Sequence, residues 1–379
     1  MKGNITALIL GLVFSTQLAA QKLPLFDNDE MLAMVDRGGD YIYSEKYDSA
    51  TMVIDSIHVL LPSHPIVYMM RAMNLAWQDQ PVRTTRPIFQ EHLVYLDSTV
   101  MAAQKLLEKN PNDIEALFFE MSVHGLKAEY YAREGSYLKA MGQAQKTYSM
   151  LRITIEKTSR SPEFYFLAGL YNYFREKYPE RHPVYKPFLW FYKSGDKERG
   201  LIQLDSAVYH SKVVKIEAAL YLSYIYLRYE QKPDVALKYL RQMHEEYPLN
   251  SYFKTKYIEC LFLQEHYEIA LPLVQGMVDH EKPYYQLCGL TYQAIYFEKV
   301  LNSASQAEKY YELALEKGKE SPDRGEYYKS LGYLGLGRVF LGKGENDLAE
   351  SNFNLAIELD ESPKVTAEAE QYLEVLDNQ

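Results

Sequence analysis

The sequence predicts an all-α fold: a TPR-like α-solenoid of antiparallel helix pairs stacked in a row, with a C-terminal capping helix. Three observations predict it. Residues 217–250 and 251–284 are consecutive units of 34 residues with the same order of apolar positions. Small and aromatic residues recur at helical spacings on both sides of these units. At 379 residues the chain exceeds the roughly 250–300 residues at which one compact core stops growing, which leaves an elongated array or separate domains.

The clearest unit lies near the C-terminus. Tyr333, Leu336, Gly337 and Phe340 fall on one helical face, a Gly342-Lys343-Gly344 turn follows, and Ala349, Phe353 and Ala356 mark a second helix. Gly337 and Ala349 are small where two helices must cross closely. In residues 217–250, Leu220 and Leu227 precede Ala236, Leu240 and Met243, and Pro248 closes the unit. In residues 251–284, Ala270, Val274 and Met277 hold the same places, and near 285–320 they are held by Ala307, Tyr311 and Ala314. Four such units in a row resemble the tetratricopeptide-repeat (TPR) superfamily over residues 217–360, and that resemblance implies helix hairpins around a concave surface.

The N-terminal half is less regular. Gly38, Tyr41, Ala50, Ile54, Ile57 and Pro62 fit a unit over about residues 31–64, and 66–109 and 112–159 read as hairpins of long helices. Pro65, Pro81, Pro87 and Pro111 mark helix boundaries. The expected organisation is a signal peptide at 1–20, irregular helical repeats at 21–175, an insertion at 176–199, regular repeats at 200–363 and a capping helix at 364–379.

The insertion separates a good first helix (Tyr165, Ala168, Gly169) from a good second one (Gly200, Leu204, Ala207). Between them, Pro179 to Asp196 holds three prolines, His182, Trp190 and several Tyr and Phe. Insertions in solenoids map to one face, often the binding face. Trp190 is expected to pack, because a bare indole is costly in water. Two readings stand: the insertion plugs the array, which is favoured, or it lies along the groove as a ligand site. Candidate contacts are Tyr173, His182, Tyr185, Trp190, Tyr192 and Asp196, with Ser194 or Asp196 capping the next helix. GLYNYF followed by WFYKSGDKERGLIQL resembles a segment of the tetratricopeptide repeat protein 39 family, an intracellular eukaryotic family. The likeness covers about forty residues and implies a shared repeat variant without a function.

Lys2, the apolar run Ile5 to Phe14 and Leu18-Ala19-Ala20 before Gln21 follow the plan of a secretory signal peptide. The run is shorter than the roughly 20 residues that span a bilayer. Export to a Gram-negative periplasm is expected, with association to the outer membrane through a partner as an extension; an uncleaved anchor is the alternative. Cys260 and Cys288 fall in apolar helices, where buried free thiols are favoured over a bridge.

Net charge is −10, and no Lys/Arg cluster stands out in the sequence, which argues against nucleic acid as a partner. The nine histidines form no His-Glu-x-x-His motif, and no Gly-x-Ser-x-Gly elbow or Walker loop occurs. No metal or cofactor is implied, and an enzyme is not expected. The 35 tyrosines suit half-buried walls, since each offers an apolar ring and a polar tip. The leading expectation is an envelope scaffold that binds a protein or peptide on its concave face, with an acidic rim favouring a basic or apolar segment. The alternative is a glycan or small-ligand binder that uses the aromatic insertion. Exported starch-binding helical-repeat proteins are similar in repeat content, although their usual lipoprotein cysteine is missing here.

Overall fold

A computed structural model describes residues 24–154, 162–359 and 362–378; the expected signal peptide at 1–20 lies outside them. Among the described residues the chain is α-helical with two short 3-10 segments and no strand. The helices pair in chain order: α1 (Asp29–Tyr43) with α2 (Tyr47–Leu60), α3 (Pro65–Gln78) with α4 (Pro87–Lys109), α5 (Ile114–Arg133) with α6 (Tyr137–Thr154), and α7 (Pro162–Arg181) with α8 (Lys197–His210). There follow α9 (Lys215–Arg228) with α10 (Pro233–Glu246), α11 (Ser251–Leu263) with α12 (Tyr267–Val278), α13 (Pro283–Lys299) with α14 (Ala304–Lys319), and α15 (Glu326–Lys343) with α16 (Asn346–Glu358). Helix α17 (Pro363–Asp377) ends the array. The chain is an all-α solenoid.

Local sequence accounts for the starts and stops. Asn28, Asp113, Asp196 and Asn250 cap α1, α5, α8 and α11 by accepting a backbone N–H from the first turn. Pro65, Pro87, Pro233, Pro283 and Pro363 occupy first turns, where the missing N–H costs nothing. Six of the eight hairpins turn the same way. A single residue with positive φ follows the first helix (Glu45, Gly135, Gln231, Glu265, Asn302 or Gly344), and the next N–H bonds back into that helix, as from Lys46 to the Tyr41 carbonyl. Only the second and fourth hairpins depart, and they carry the long connections 79–86 and 182–196.

The second helices share a packing rule. Ala50, Ala140, Gly200, Ala236, Ala270, Ala307 and Ala349 each stand fourth in their helix, and all are buried. At hairpin four the crossing is backbone on backbone: a Cβ on Gly200 would come 2.7 Å from the Tyr173 nitrogen, and one on Gly169 would come 2.9 Å from the Gly200 carbonyl oxygen. At hairpin eight the space over Gly337 is filled by the Phe353 ring. Helix α17 covers this last hairpin with Val365 and Ala369, and Tyr372 stacks on Phe353 at 5.0 Å. Such a cover shields the apolar stacking face of the hairpin from water. Cys260 and Cys288 are buried and unbridged. No helix among the described residues is long and apolar enough to cross a membrane.

The array curls until its first hairpins meet later ones. Hairpin one comes to rest against hairpins five and six, and the 79–86 connection against hairpins seven and eight. The seam has an aromatic centre. Trp77 meets Phe253 at 5.1 Å and Tyr252 at 6.0 Å, and Tyr43 meets Trp77 at 5.2 Å, Tyr247 at 5.5 Å and Phe253 at 6.1 Å. Polar bonds fix its edges. Asn250 Nδ2 donates to the Tyr43 carbonyl at 2.8 Å, Tyr247 Oη to Asp40 at 2.7 Å, and the Ser251 N–H to Glu45 at 2.9 Å. Further along, Arg324 pairs with Asp79 at 3.1 Å and Arg83 with Glu326 at 2.5 Å. One continuous apolar core therefore runs from Leu25 to Tyr328.

Glu217 sits under this seam and accepts a hydrogen bond from the Tyr43 hydroxyl. Its stem is partly exposed, but its Oε2 is shielded from water and has no hydrogen-bond partner. Burial pushes the carboxyl up from 4.5 to about 7, against the opposing pull of the Tyr43 hydrogen bond; nearby Glu163 adds to the rise and Lys215 opposes it. A carboxyl whose folded value is raised contributes stability in its protonated form. That contribution is complete below the unfolded value and is lost as pH rises through the folded one. Unfolding in urea should therefore show a Glu217 contribution of at most about 3 kcal/mol that disappears between about pH 4.5 and 7. Glu217→Gln should flatten the pH dependence in that window, and an unchanged slope would remove Glu217 from the seam's energetics.

Candidate partner-binding surface

The insertion is tied down, and none of its side chains described between 182 and 196 is buried. Its 3-10 segment Pro183–Phe191 is strapped onto α7 beside α6. The Arg175 guanidinium donates to the carbonyls of Leu189 at 3.0 Å and Tyr192 at 3.4 Å. Tyr171 donates to the Lys193 carbonyl at 2.6 Å, the Lys193 N–H donates to Tyr148 Oη at 3.0 Å, and the Gly195 N–H donates to Glu176 at 2.7 Å. Helix α7 runs through Pro179 to Arg181, so the irregular stretch is 182–196, narrower than the expected 176–199.

The candidate contacts separate into five places. Tyr173 is fully buried and donates to Glu230 at 2.7 Å, which ties α7 to the end of α9 beneath the surface. Asp196 caps α8 through the Arg199 N–H at 3.0 Å. Tyr192 leans on Tyr148 at 4.8 Å on one side of α7. His182 and Tyr185 lie on the other side against Tyr178, at 4.2 and 5.3 Å, and Tyr185 also meets Tyr137 at 5.6 Å. Burial, with the Arg181 guanidinium beside it, holds the His182 imidazole below its usual value. Trp190 overturns the expectation that it packs, because it is 88% exposed. The cause is geometric: its segment is anchored through backbone carbonyls and neighbouring tyrosines, so the indole is not needed to hold it.

Residues that the sequence reading passed over form a second surface, continuous with His182 and Tyr185. The ends of α5, α7 and α9 meet on the inner side of the curl and carry Arg133, Arg181 and Arg228. Tyr224 stands among them, about half exposed. Burial raises its phenol, while the charges of Arg228, Arg181 and Arg133 pull it the other way and Glu129 adds to the rise. Arg181 lies over the Tyr229 ring at 4.3 Å, and Arg228 over Tyr327 at 4.5 Å. Glu129 takes Arg133 at 2.5 Å and also accepts from Tyr221. Glu259 takes Arg228 at 2.5 Å and Lys256 at 3.4 Å. Burial alone would raise the Glu259 carboxyl, but these two cations hold it below the usual range. A rim of guanidinium groups and tyrosine rings, with exposed Glu134 and Glu180 beside it, thus stands where an acidic rim was expected. Its signal in the sequence was an Arg in the last turn of three alternate helices, at 133, 181 and 228.

Among the described residues, no group of three His, Cys, Asp or Glu side chains could hold a metal ion, and His244, which precedes Glu245 and Glu246, stacks on Tyr257 at 5.0 Å. The chain matches no known family and no curated protein.

Because Trp190 makes so little contact, Trp190→Ala should leave the free energy of unfolding in urea within about 0.5 kcal/mol of the parent. A loss of several times that would mean that the indole packs in solution.

Proposed function

We propose that this chain is a non-enzymatic binding protein of the tetratricopeptide-repeat type, exported to the bacterial envelope, where it holds a segment of a partner protein on its inner face. The observation that carries the reading is the accessible stretch at the ends of α5, α7 and α9. There, Tyr224 is 46% exposed and Tyr178 and Arg181 stay partly accessible although the neighbouring inner surface is closed by the seam. Tyr and Arg are the side chains that contribute most to protein interfaces, because they offer large contact area with few rotors and a polar end. A stack of helix pairs holds them at fixed spacing, which suits an extended segment or a helix.

A second reading rests on one observation, the 88% exposure of Trp190 on a strapped support. A flat, bare indole suits stacking on a sugar ring or another small ring-bearing ligand, and a change in its fluorescence on titration with saccharides would favour that use.

A photo-crosslinking amino acid at position 224, compared with one at Leu348 on the outer helix α16, tests the leading reading in the cells that make the protein. The reading expects a discrete protein adduct from position 224 and none from position 348. Adducts that are absent from 224, or identical at both positions, contradict it.

A further inference from the structure

We infer that the partner segment held at the ends of α5, α7 and α9 is acidic, and that Arg181 is the side chain that takes its carboxylate. This rests on the reading of that surface as the binding face and adds the chemistry of the occupant.

Helix C-termini attract cations through the helix dipole, so three arginines at helix ends carry little information by themselves. Their partners are what differ. Arg133 has Glu129, and Arg228 has Glu259, each at 2.5 Å. Arg181 has no carboxylate among the described residues. Its guanidinium donates to the Arg228 backbone carbonyl and lies over the Tyr229 ring, which leaves further N–H donors unspent, and the side chain is only partly buried. Within the cluster, Arg133 is matched by Glu129, and Arg228 and Lys256 by Glu259, while Glu180 next to Arg181 is taken by Lys177 and Glu230 by Lys197. Arg181 is therefore the cation that these pairings leave without a carboxylate among the described residues. An unmatched cation steers an oppositely charged group to one place and register.

Carboxylate is the anion that the cluster is already built around. Both of its paired arginines hold carboxylates, and a planar guanidinium matches a carboxylate in a two-bond fork. The surrounding rings of Tyr178, Tyr224 and Tyr229 would cover the aliphatic part of a Glu or Asp side chain while its oxygens reach Arg181. Stacking on Tyr229 holds the guanidinium in place, so little side-chain entropy remains to be lost on binding.

The test uses the full-length folded protein and fluorescein-labelled hexaglutamate, followed by fluorescence anisotropy. Hexalysine and a heparin-type sulfated hexasaccharide serve as comparison probes. The expected result is saturable binding of hexaglutamate that weakens as salt is added, is about tenfold or more weaker in Arg181→Gln, and is unchanged in Trp190→Ala. Arg181→Lys keeps the charge without the fork and should fall between. Far-UV circular dichroism and urea unfolding of each variant establish that it is folded. No hexaglutamate binding, binding indifferent to Arg181→Gln in a folded variant, or preference for the sulfated sugar overturns the inference. A crosslinked partner at position 224 with no hexaglutamate binding removes the acidic segment and leaves the binding face standing. Failure of both removes the face as well.

Discussion

An aromatic seam decides which surfaces of this molecule can be used. Tyr43 and Trp77, from the first two hairpins, interlock with Tyr247, Tyr252 and Phe253, from the fifth and sixth. Without that contact the stacked hairpins would form an open spiral, and their first helices would line a long exposed groove. With it, the inner faces press on one another, and tyrosines such as Tyr284, Tyr285 and Tyr328 become core. Large rings are suited to such a joint. Each removes much apolar area from water and still places a hydroxyl at the edge, as Tyr247 does toward Asp40.

Closure also explains where charge collects. Carboxylates at the inner side are matched by cations, the partly exposed Glu129 by Arg133 and the fully buried Glu259 by Arg228 and Lys256. Such pairs add little net stability, because desolvation offsets their attraction, but a missing partner would be costly. They therefore fix how the helix ends meet more than they hold them together. Arg181 stands outside this pairing, at a part of the inner side that stays partly accessible. The strapped insertion borders that opening with His182 and Tyr185, while Trp190 points into water elsewhere. One segment of the chain thus has two separate surfaces.

The all-α solenoid was legible because its signals are local. Ala236, Ala270, Ala307 and Ala349 announce close crossings, and Gly344 announces a turn. The same turn was hidden at Glu45, Gln231, Glu265 and Asn302, where a residue other than glycine accepts positive φ because the hairpin holds it there. The seam was not legible at all. Tyr43 and Phe253 are some two hundred residues apart, and nothing in a 34-residue period says how tightly the array will curl. Trp190 misled for a related reason: a residue's cost in water predicts burial on average, whereas this segment is held through its backbone. The arginines at 133, 181 and 228 were visible as helix-end residues, but their convergence depends on the curl.

The most direct measurement of the closed seam uses the two tryptophans. In Trp190→Phe the only indole left is Trp77, which is 9% exposed and lies in the seam. Acrylamide quenching of that variant reports whether the seam is closed in solution. The account predicts emission that is shifted to the blue and poorly quenched, and that is lost in the same urea transition as the helical signal. Emission quenched as readily as that of an open-chain tryptophan peptide, with helix content intact, would mean an open array and would contradict the account.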